Sequence, residues 1–149
     1  TTGAMDRDLV RSVKQLAPES ELTFHRAVDH ASDPLEVLEG CLALGVDRLL
    51  TSGGQTLALN GIPLLAELVR RAGEECVVAA AGGVGPANVV DLVQRTGVPE
   101  VHFAAQRQVS VAAGKAVLSS MPGAAGFYFE PDEAKIHGVL EALTKAGLR

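Results

Sequence analysis

The sequence lacks the features that direct a protein of this size to a membrane or to nucleic acid. No apolar run approaches the roughly 20 residues that a transmembrane helix needs. The 13 basic and 18 acidic residues give a net charge of −5, and no lysine or arginine cluster is dense enough for a phosphate-backbone footprint. The first residues, TTGAMDRD, contain neither the basic nor the apolar segment of a signal peptide, so we expect a cytoplasmic protein.

Several motifs of metal sites and catalytic sites are also missing. The two cysteines, Cys41 and Cys76, are far apart and form no CxxC pair, which argues against a disulfide framework and against a zinc site. The sequence contains no P-loop and no GxGxxG fingerprint. It has no Gly-x-Ser-x-Gly elbow, so a serine hydrolase is not expected. We expect both cysteines to be buried as small apolar side chains.

Four short apolar segments alternate with amphipathic segments along the chain. The apolar segments begin near residues 22, 48, 76 and 100, and the segments between them have helical periodicity. A repeat of about 25 residues is typical of β-strands joined by helices, which predicts an α/β fold with a parallel sheet. An open doubly wound sheet and part of a (β/α)8 barrel both fit this pattern. A barrel typically needs about 250 residues, so 149 residues hold about half of one.

Both ends of the chain add further segments to this repeat. Residues 5–17 predict an opening helix whose apolar face carries Leu9, Val10, Val13 and Leu16. Residues 106–130 are rich in alanine, glycine and serine, which predicts a long loop. Residues 131–147 predict a closing helix. We expect residues 1–149 to form a single domain.

Polar and small residues gather where the predicted strands end. In both architectures, ligands bind at the carboxyl ends of the parallel strands. These ends carry a concentrated set of candidate site residues: His25, Arg26, Asp29, Thr51, Ser52, Gly53, Gly82, Gly83 and His102. We therefore expect a ligand site at this edge of the sheet.

The two histidines are the main candidates for chemistry. Strand alternation predicts that Thr23, His25 and Ala27 share one face of the sheet and that Arg26 points toward the helices. His102 ends the fourth strand, so the two imidazoles can converge, either to move a proton near neutral pH or to ligate a borderline metal. The alternative for each histidine is a structural role, with the ring hydrogen-bonded to a neighbour.

The other candidates have both structural and functional interpretations. Arg26 and Asp29 are expected to form a salt bridge that closes the first strand onto its loop, and Asp29 can also orient His25 for acid–base catalysis. The AGGVGPAN turn, which contains Gly82 and Gly83, offers backbone N–H groups to an anion ahead of a helix. A turn between a strand and a helix also uses glycine simply to bend. The TSGG turn has the same ambiguity.

Four segments, in this order and spacing, resemble the CutC family, which is named for copper homeostasis: LTFHRAVD, RLLTSGG, AAGGVGPANV and EVHFAA. The resemblance covers residues 5–105 and, more loosely, the final helix. It implies a TIM-type barrel of which this chain is the second half, with about four parallel strands covered by helices. It adds Asn88, which follows the glycine turn, to the ligand-binding candidates. It also implies that the cysteine-bearing strands proposed as copper ligands in the family lie outside this chain.

The resemblance leads to three hypotheses of function. The first is a cytoplasmic copper homeostasis protein of the CutC type that binds copper, with His25 and His102 as metal ligands, or acts indirectly. The second is a TIM-barrel enzyme that acts on a small anionic or phosphorylated metabolite, with His25 or His102 as the acid or base. The third is a half-barrel that self-associates through its open sheet edges and has no activity of its own. We expect a homo-oligomer or a fragment of a longer chain, with a small molecule or copper as its ligand.

Overall fold

The computed structural model describes residues 3–110 and 127–149, and these contain five α-helices and six β-strands. The helices are α1 (Arg7–Leu16), α2 (Pro34–Ala43), α3 (Ile62–Ala72), α4 (Val89–Thr96) and α5 (Glu133–Lys145). The strands are β1 (Thr23–Phe24), β2 (Arg48–Thr51), β3 (Val77–Ala81), β4 (Glu100–His102), β5 (Gln106–Ser110) and β6 (Phe127–Pro131). Short 3-10 helices lie in the β1–α2 and β2–α3 connections, at Arg26–His30 and Ala58–Gly61.

The first four strands form one parallel sheet in the order β1-β2-β3-β4. Strands that follow one another in the chain are therefore neighbours in the sheet, and helical crossovers join them. This is the arrangement of a TIM barrel, whereas a doubly wound sheet reverses its strand order part-way across. The predicted α/β class and the predicted half-barrel of four parallel strands are confirmed.

Local sequence sets where the helices begin and end. Asp33 caps α2, since its carboxylate accepts hydrogen bonds from the backbone N–H groups of Leu35 at 2.9 Å and Glu36 at 3.2 Å. Pro34 occupies the first turn of this helix, where a missing N–H costs nothing. Gly97 ends α4 in the left-handed conformation, with φ at 71°, which a side-chain-bearing residue rarely adopts.

The hydrophobic core lies between one face of the sheet and the helices α2, α3 and α4. Leu49 and Val78 point from the sheet into this core, and Leu38, Leu65 and Leu92 enter it from the three helices. Each of these side chains is at most 1% exposed. Because burying one such side chain contributes about 1.5–3 kcal/mol, this layer holds the helices against the sheet.

The helix α1 is present as predicted, but within residues 3–110 and 127–149 only Val10 of its apolar face packs against the core, and Leu9, Val13 and Leu16 stay exposed. The helix has no buried residue, and Leu9 and Leu16 are 61% and 87% exposed. It lies beside β1, at one edge of the sheet. None of the described helices is long and apolar enough to cross a lipid bilayer.

The long loop predicted for residues 106–130 is wrong at both of its ends. Residues 106–110 and 127–131 form β5 and β6, which pair in an antiparallel ladder from Gln106 with Pro131 to Ser110 with Phe127. An ion pair between Arg107 and Glu130 spans the two strands. The small residues that suggested a loop are concentrated in the sequence between the two strands. The strands pair across a long separation in the sequence, so no local sequence pattern indicates the pairing. The middle of the predicted loop, residues 111–126, lies outside the described residues.

Candidate functional site

The register of the sheet defines an inner face that points away from the helices. Residues paired across neighbouring strands project to the same side. Thr23 pairs with Arg48, and Ala81 pairs with His102. The backbone of His25 is still extended, with φ at −84° and ψ at −174°, so alternation from Thr23 places His25 on this side too. The inner face consists of Thr23, His25, Arg48, Leu50, Val77, Ala79, Ala81, Glu100 and His102.

The inner face carries both candidate histidines, and both side chains are exposed. His25 directly follows β1 and His102 ends β4, and these are the two outer strands of the sheet. Three strand spacings separate them, which is about 14 Å along the sheet. Between them the inner face carries the small side chains of Ala79 and Ala81. The two imidazoles therefore face a common space but do not touch each other.

The ring of His25 already has a structural role. Its Nδ1 accepts a hydrogen bond from the backbone N–H of Ala27 at 3.1 Å, which caps the 3-10 helix Arg26–His30. A neutral imidazole has one N–H group, so a ring that accepts through Nδ1 carries its proton on Nε2. In this conformation His25 presents an N–H donor to the inner face, whereas a metal at Nε2 needs a lone pair there.

The predicted salt bridge between Arg26 and Asp29 is present, with Nε and Oδ2 2.7 Å apart. Arg26 does not point to the helices, as strand alternation suggested, because the chain turns into a 3-10 helix directly after His25. Its Nη2 instead donates to the hydroxyl of Ser52 at 2.7 Å and to the carbonyl of Gln55 at 3.3 Å. Arg26 therefore ties the end of β1 to the loop after β2.

Asp29 is the centre of this hydrogen-bond network. Its carboxylate accepts from the hydroxyl of Thr51 at 2.6 Å, from both the N–H and the hydroxyl of Ser52, and from the N–H of Gly54 at 3.0 Å. The side chain of Asp29 is only 4% exposed. The proposed orienting contact from Asp29 to His25 is not among these bonds, because Asp29 faces the β2 end instead.

The network holds Asp29 in its charged form. Burial alone would raise the pKa of this carboxyl group, but hydrogen bonds from Thr51, Arg26, Gly54 and Ser52 outweigh burial and lower the pKa below its ordinary value of 3.8. A carboxylate with so low a pKa is a fixed anion at neutral pH. This favours a positioning role for Asp29 over the predicted role in acid–base catalysis.

The residues of the TSGG turn are enclosed by the protein itself. Thr51 and Ser52 are 1% and 0% exposed. A Cβ atom at Gly53 would lie 2.8 Å from the Cα atom of Gly61, so the two backbone segments touch at a point where only glycine fits. The turn contains three of the predicted ligand-binding residues, Thr51, Ser52 and Gly53. They therefore support the site from the protein interior.

The glycine turn after β3 is closed as well. The carbonyl of Gly82 accepts from the N–H of Ala58 at 2.9 Å, and a Cβ atom at Gly82 would lie 3.1 Å from the carbonyl oxygen of Thr56. A Cβ atom at Gly83 would lie 2.5 Å from the side chain of Leu57. The β2–α3 loop thus packs against the side of the turn on which a Cβ atom would lie, and this packing requires glycine at both positions.

Asn88 has a local partner on each side of its amide. Its Oδ1 accepts from the N–H of Gly85 at 2.9 Å, and its Nδ2 donates to the carbonyl of Gly83 at 2.8 Å. Both bonds lie within the turn that leads into α4. The side chain proposed to bind a ligand is therefore engaged in shaping that turn.

The sequence analysis missed an ion pair on the inner face. The guanidinium of Arg48 contacts the carboxylate of Glu100 through two bonds, Nε at 2.6 Å and Nη2 at 3.0 Å, across the width of β3. Glu21 and Thr23 also accept from Arg48, at 3.3 Å and 3.5 Å. The available signal was strand alternation, because Glu100 lies two residues before the candidate His102 and so shares its face of the sheet. The carboxylate of Glu100 lies level with Ala79 in the sheet register, and His102 lies one inward-facing position further along β4.

The two cysteines are buried, as predicted, and both are free thiols. Burial raises the pKa of Cys41 to about 12, and the neighbouring Cys76 thiol adds to this. Burial likewise raises the pKa of Cys76 to about 11. Neither thiol is therefore ionised at neutral pH, so neither is a ready metal ligand. No group of three or more metal-ligating side chains is close enough to hold an ion in residues 3–110 and 127–149.

Comparison with known proteins supports the resemblance found in the sequence. The sequence model described as the CutC family matches residues 1–107. This chain belongs to the CutC family. A CutC family protein of Mesorhizobium japonicum is 39% identical over 107 residues, which are 72% of this chain and 42% of that protein. A CutC family protein of Xanthomonas campestris pv. campestris (strain B100) is 37% identical over 144 residues, which are 97% of this chain and 60% of that protein.

A solved CutC structure has the same fold. The CutC protein of Streptococcus agalactiae, which is named for copper homeostasis, superposes with a TM-score of 0.64 and 25% identity. The superposition covers 68% of this chain and 50% of that chain. This CutC-type chain therefore spans only about half the length of the relatives that it matches, and its four parallel strands correspond to a half-barrel of the TIM type.

Proposed function

We propose that this chain acts in cytoplasmic copper homeostasis as a half-barrel of the CutC type, and that it does so without a complete copper centre of its own. Membership of the CutC family is the observation that carries the first part, since a solved relative is named for copper homeostasis. The second part is supported by the chemistry of the inner face. The copper-binding alternative, with His25 and His102 as ligands, is the one that this proposal replaces.

Three features of the described residues argue against a copper centre built from this chain alone. Nδ1 of His25 is engaged with the backbone of Ala27, so ligation through Nε2 requires the ring proton to move and the capping bond to break. His102 lies at the other outer strand. The thiols of Cys41 and Cys76, which are the softest donors in the chain and the type that Cu(I) prefers, are buried and protonated.

The proposal is tested by growth of a strain that lacks the gene for this chain, in medium with increasing copper. We expect the deletion to change copper tolerance, and the wild-type gene to restore it. A His25→Ala, His102→Ala double variant should restore it as well as the wild type does, because the proposal assigns no copper ligation to these histidines. The matched control is His137→Ala, whose side chain on α5 is 72% exposed and lies 3.4 Å from the carboxylate of Glu133. If the deletion leaves copper tolerance unchanged, the proposal is wrong.

One observation favours a second function, the binding of a small anionic metabolite as a step toward enzymatic chemistry. His25 presents an N–H group to the inner face, and a donor of this kind suits an anionic oxygen better than it suits a metal. The Arg48 guanidinium is less suited, because Glu100 neutralises it through two bonds. His25 or His102 would then bind the anion and transfer a proton to or from it.

Thermal unfolding in the presence of inorganic phosphate and of glycerol 3-phosphate tests this second function. We expect either compound to raise the melting temperature of the wild type and of His137→Ala. The His25→Ala, His102→Ala variant should lose that rise, because its two donors are missing. An equal rise in the double variant would rule out an anion site at the histidines.

A further inference from the structure

A short antiparallel sheet, the β5–β6 hairpin, is inserted between β4 and α5. The N–H of Asp132 donates to the carbonyl of Ala105 at 2.9 Å and closes the base of the hairpin. Within residues 3–110 and 127–149, no other helix or strand packs extensively against it. The match to the family model ends at residue 107, so most of the hairpin lies beyond it. A two-stranded hairpin alone is at best marginally stable in water, so this one gains from a partner.

The second strand of the hairpin carries an exposed aromatic triplet. Phe127, Tyr128 and Phe129 are 38%, 52% and 54% exposed. The whole chain has one tyrosine and four phenylalanines, so β6 holds three of these five side chains. Phe127 and Phe129 share one face of the strand, with ring centroids 5.6 Å apart, and Tyr128 lies on the other face. The described part of the chain therefore leaves aromatic surface open on both faces of β6.

The backbone of β6 has a free edge at the same residues. The bond from Asp132 to Ala105 sets the phase of the ladder, because opposite residues exchange backbone bonds at every second pair. Tyr128 therefore directs its N–H and C=O groups to β5. Those of Phe127 and Phe129 point the other way, toward an edge that no described strand occupies. A free edge of this kind is a template for another strand.

Two further residues favour pairing at this edge over a short length. Pro131 is the next outward-facing position of β6, and it has no N–H group to offer a partner strand. On the opposite edge of the hairpin, the outward carbonyl of Gln106 already accepts from Nζ of Lys135 at 3.0 Å. The aromatic triplet is therefore the part of the hairpin that is most open to a partner.

We propose that β6 is a docking edge for β6 of a second copy of this chain, paired antiparallel about a two-fold axis beside Tyr128. The triplet Phe-Tyr-Phe is the same in both directions, and a strand that pairs with itself across a two-fold axis must be self-complementary. In this register Phe127 lies opposite Phe129 of the second copy, and each such pair exchanges two backbone hydrogen bonds. Tyr128 lies opposite its own counterpart. Aromatic pairs therefore form at all three positions.

Charge is compatible with this register. Glu130 is the one charged residue of β6, and it already forms an ion pair with Arg107 of its own hairpin. In the two-fold register the two copies of Glu130 lie four positions apart along the strands, which is about 13 Å, so like charges do not meet. The pairing uses the hairpin alone and leaves β1 and β4, the outer strands of the parallel sheet, uninvolved.

The docking edge is tested by size-exclusion chromatography with light scattering on the 15.4 kDa chain across micromolar concentrations. We expect the wild type to form a dimer. Phe129→Pro should weaken the dimer at least about tenfold, because it removes a ring and an N–H donor from each copy. The matched control is Gln108→Pro, since Gln108 lies opposite Phe129 in β5 and its N–H points away from β6. Circular dichroism checks that both variants fold.

The register is tested by Tyr128→Cys with glutathione disulfide as the oxidant. The two introduced thiols would lie opposite each other at a pair without backbone bonds, where Cα atoms are about 4.5 Å apart and a disulfide can form. The native thiols of Cys41 and Cys76 are buried. We expect a covalent dimer on a non-reducing gel. The control Glu130→Cys should stay uncrosslinked, because its two thiols are about 13 Å apart along the strands.

Each remaining outcome counts against the proposal. A chain that is monomeric at every concentration has no such docking edge. A dimer that Phe129→Pro and Gln108→Pro weaken equally depends on the hairpin but not on the edge of β6. A dimer that Tyr128→Cys does not crosslink, or that Glu130→Cys crosslinks as well, has another register. None of these results bears on copper tolerance, so the proposal can fail while the proposed function stands.

Discussion

At the scale of single residues, the structure at the carboxyl ends of β1 and β2 depends on Asp29. One carboxylate joins the end of β1, the hydroxyls of Thr51 and Ser52, and the backbone of the loop after β2. Five donors converge on it, and the side chain is almost fully buried. A buried carboxylate is tolerated only when its oxygens are satisfied in this way. Its hydrogen bonds therefore matter more to folding than to proton transfer.

We expect Asp29→Asn to lower the free energy of unfolding by about 2–3 kcal/mol. The amide keeps one oxygen, but its NH2 group faces donors from Arg26 and Ser52, and hydrogen bonds to a charged acceptor are worth about 1.5–3 kcal/mol. Urea denaturation measures the loss. The control is Asp91→Asn, because Asp91 is 55% exposed and its one pairing, with Arg95, lies on the helix surface. A loss below about 0.5 kcal/mol at Asp29, similar to that expected at Asp91, would contradict a central role.

The same network predicts how stability depends on pH. The pKa of Asp29 is lower in the folded chain than its ordinary value of 3.8. A lowered pKa stabilises the fold above the unfolded pKa, and this contribution is lost as the pH falls through the folded value. The difference in unfolding free energy between wild type and Asp29→Asn should therefore be constant at neutral pH and shrink below about pH 4. Urea denaturation of both proteins at stepped pH measures it, and an unchanged difference in acid would contradict the assignment.

Residue-level prediction succeeded where it depended on local chemistry. The Arg26–Asp29 pair and the burial of both cysteines were readable from charge spacing and helix periodicity. A structural role for His25 was one of the two alternatives, but its hydrogen-bond partner was not predictable, because the cap belongs to a 3-10 helix that begins one residue later. Strand alternation has no information on where a strand stops. For the same reason it assigned Arg26 to the wrong side.

At the scale of elements, the contact between the carboxyl end of β2 and the β2–α3 loop determines the shape of this edge of the sheet. Gly53 and Gly61 meet backbone to backbone, and this allows the loop to cover the glycine turn after β3. Of the two, Gly61 has an ordinary negative φ of −96°, which any residue can adopt. A side chain at Gly61 would therefore clash with its neighbours but would not strain the backbone. The position therefore isolates the effect of close packing.

We expect Gly61→Ala to lower the free energy of unfolding by about 1–3 kcal/mol, because its methyl group would lie 2.8 Å from the Cα atom of Gly53 and the loop must move. Chemical denaturation measures the effect. The control is Gly85→Ala, where an added Cβ meets nothing within 4 Å. If both variants lose the same stability, a general cost of replacing glycine explains the result and close packing does not.

The limits of sequence prediction for elements follow from the range of the interactions. The helices were predictable from their periodicity, and capping residues such as Asp33 and Gly97 set their ends within a few positions. The β5–β6 hairpin was missed, since its pairing depends on segments separated by 16 residues whose composition indicates a loop. The exposed face of α1 was also invisible, because periodicity shows that a face is apolar and not what covers it.

At the scale of the whole molecule, the half-barrel was predictable from length and spacing once the four motifs had indicated the family. Parallel strands at regular intervals left two architectures, and the order β1-β2-β3-β4 decided between them. The space between the histidines was not predictable, because the distance across a sheet depends on strand order. That distance determines whether this chain can hold copper by itself.

We therefore predict that this chain alone binds Cu(I) weakly and that its histidines do not change this. The measurement is an anaerobic competition titration against a chromophoric chelator. We expect three proteins to have equal Cu(I) affinities within about threefold, which corresponds to about 0.65 kcal/mol. They are the wild type, the His25→Ala, His102→Ala double variant and the control His137→Ala. The reasons are the capping bond at Nδ1 of His25, the separation of β1 from β4, and the protonated thiols of Cys41 and Cys76. Tight binding by the wild type that only the double variant loses would place a copper site on the inner face. The capping bond would then have to open for the metal, and the loss of the His25 to Ala27 contact on adding Cu(I) would be detectable in the NMR signal of the Ala27 amide.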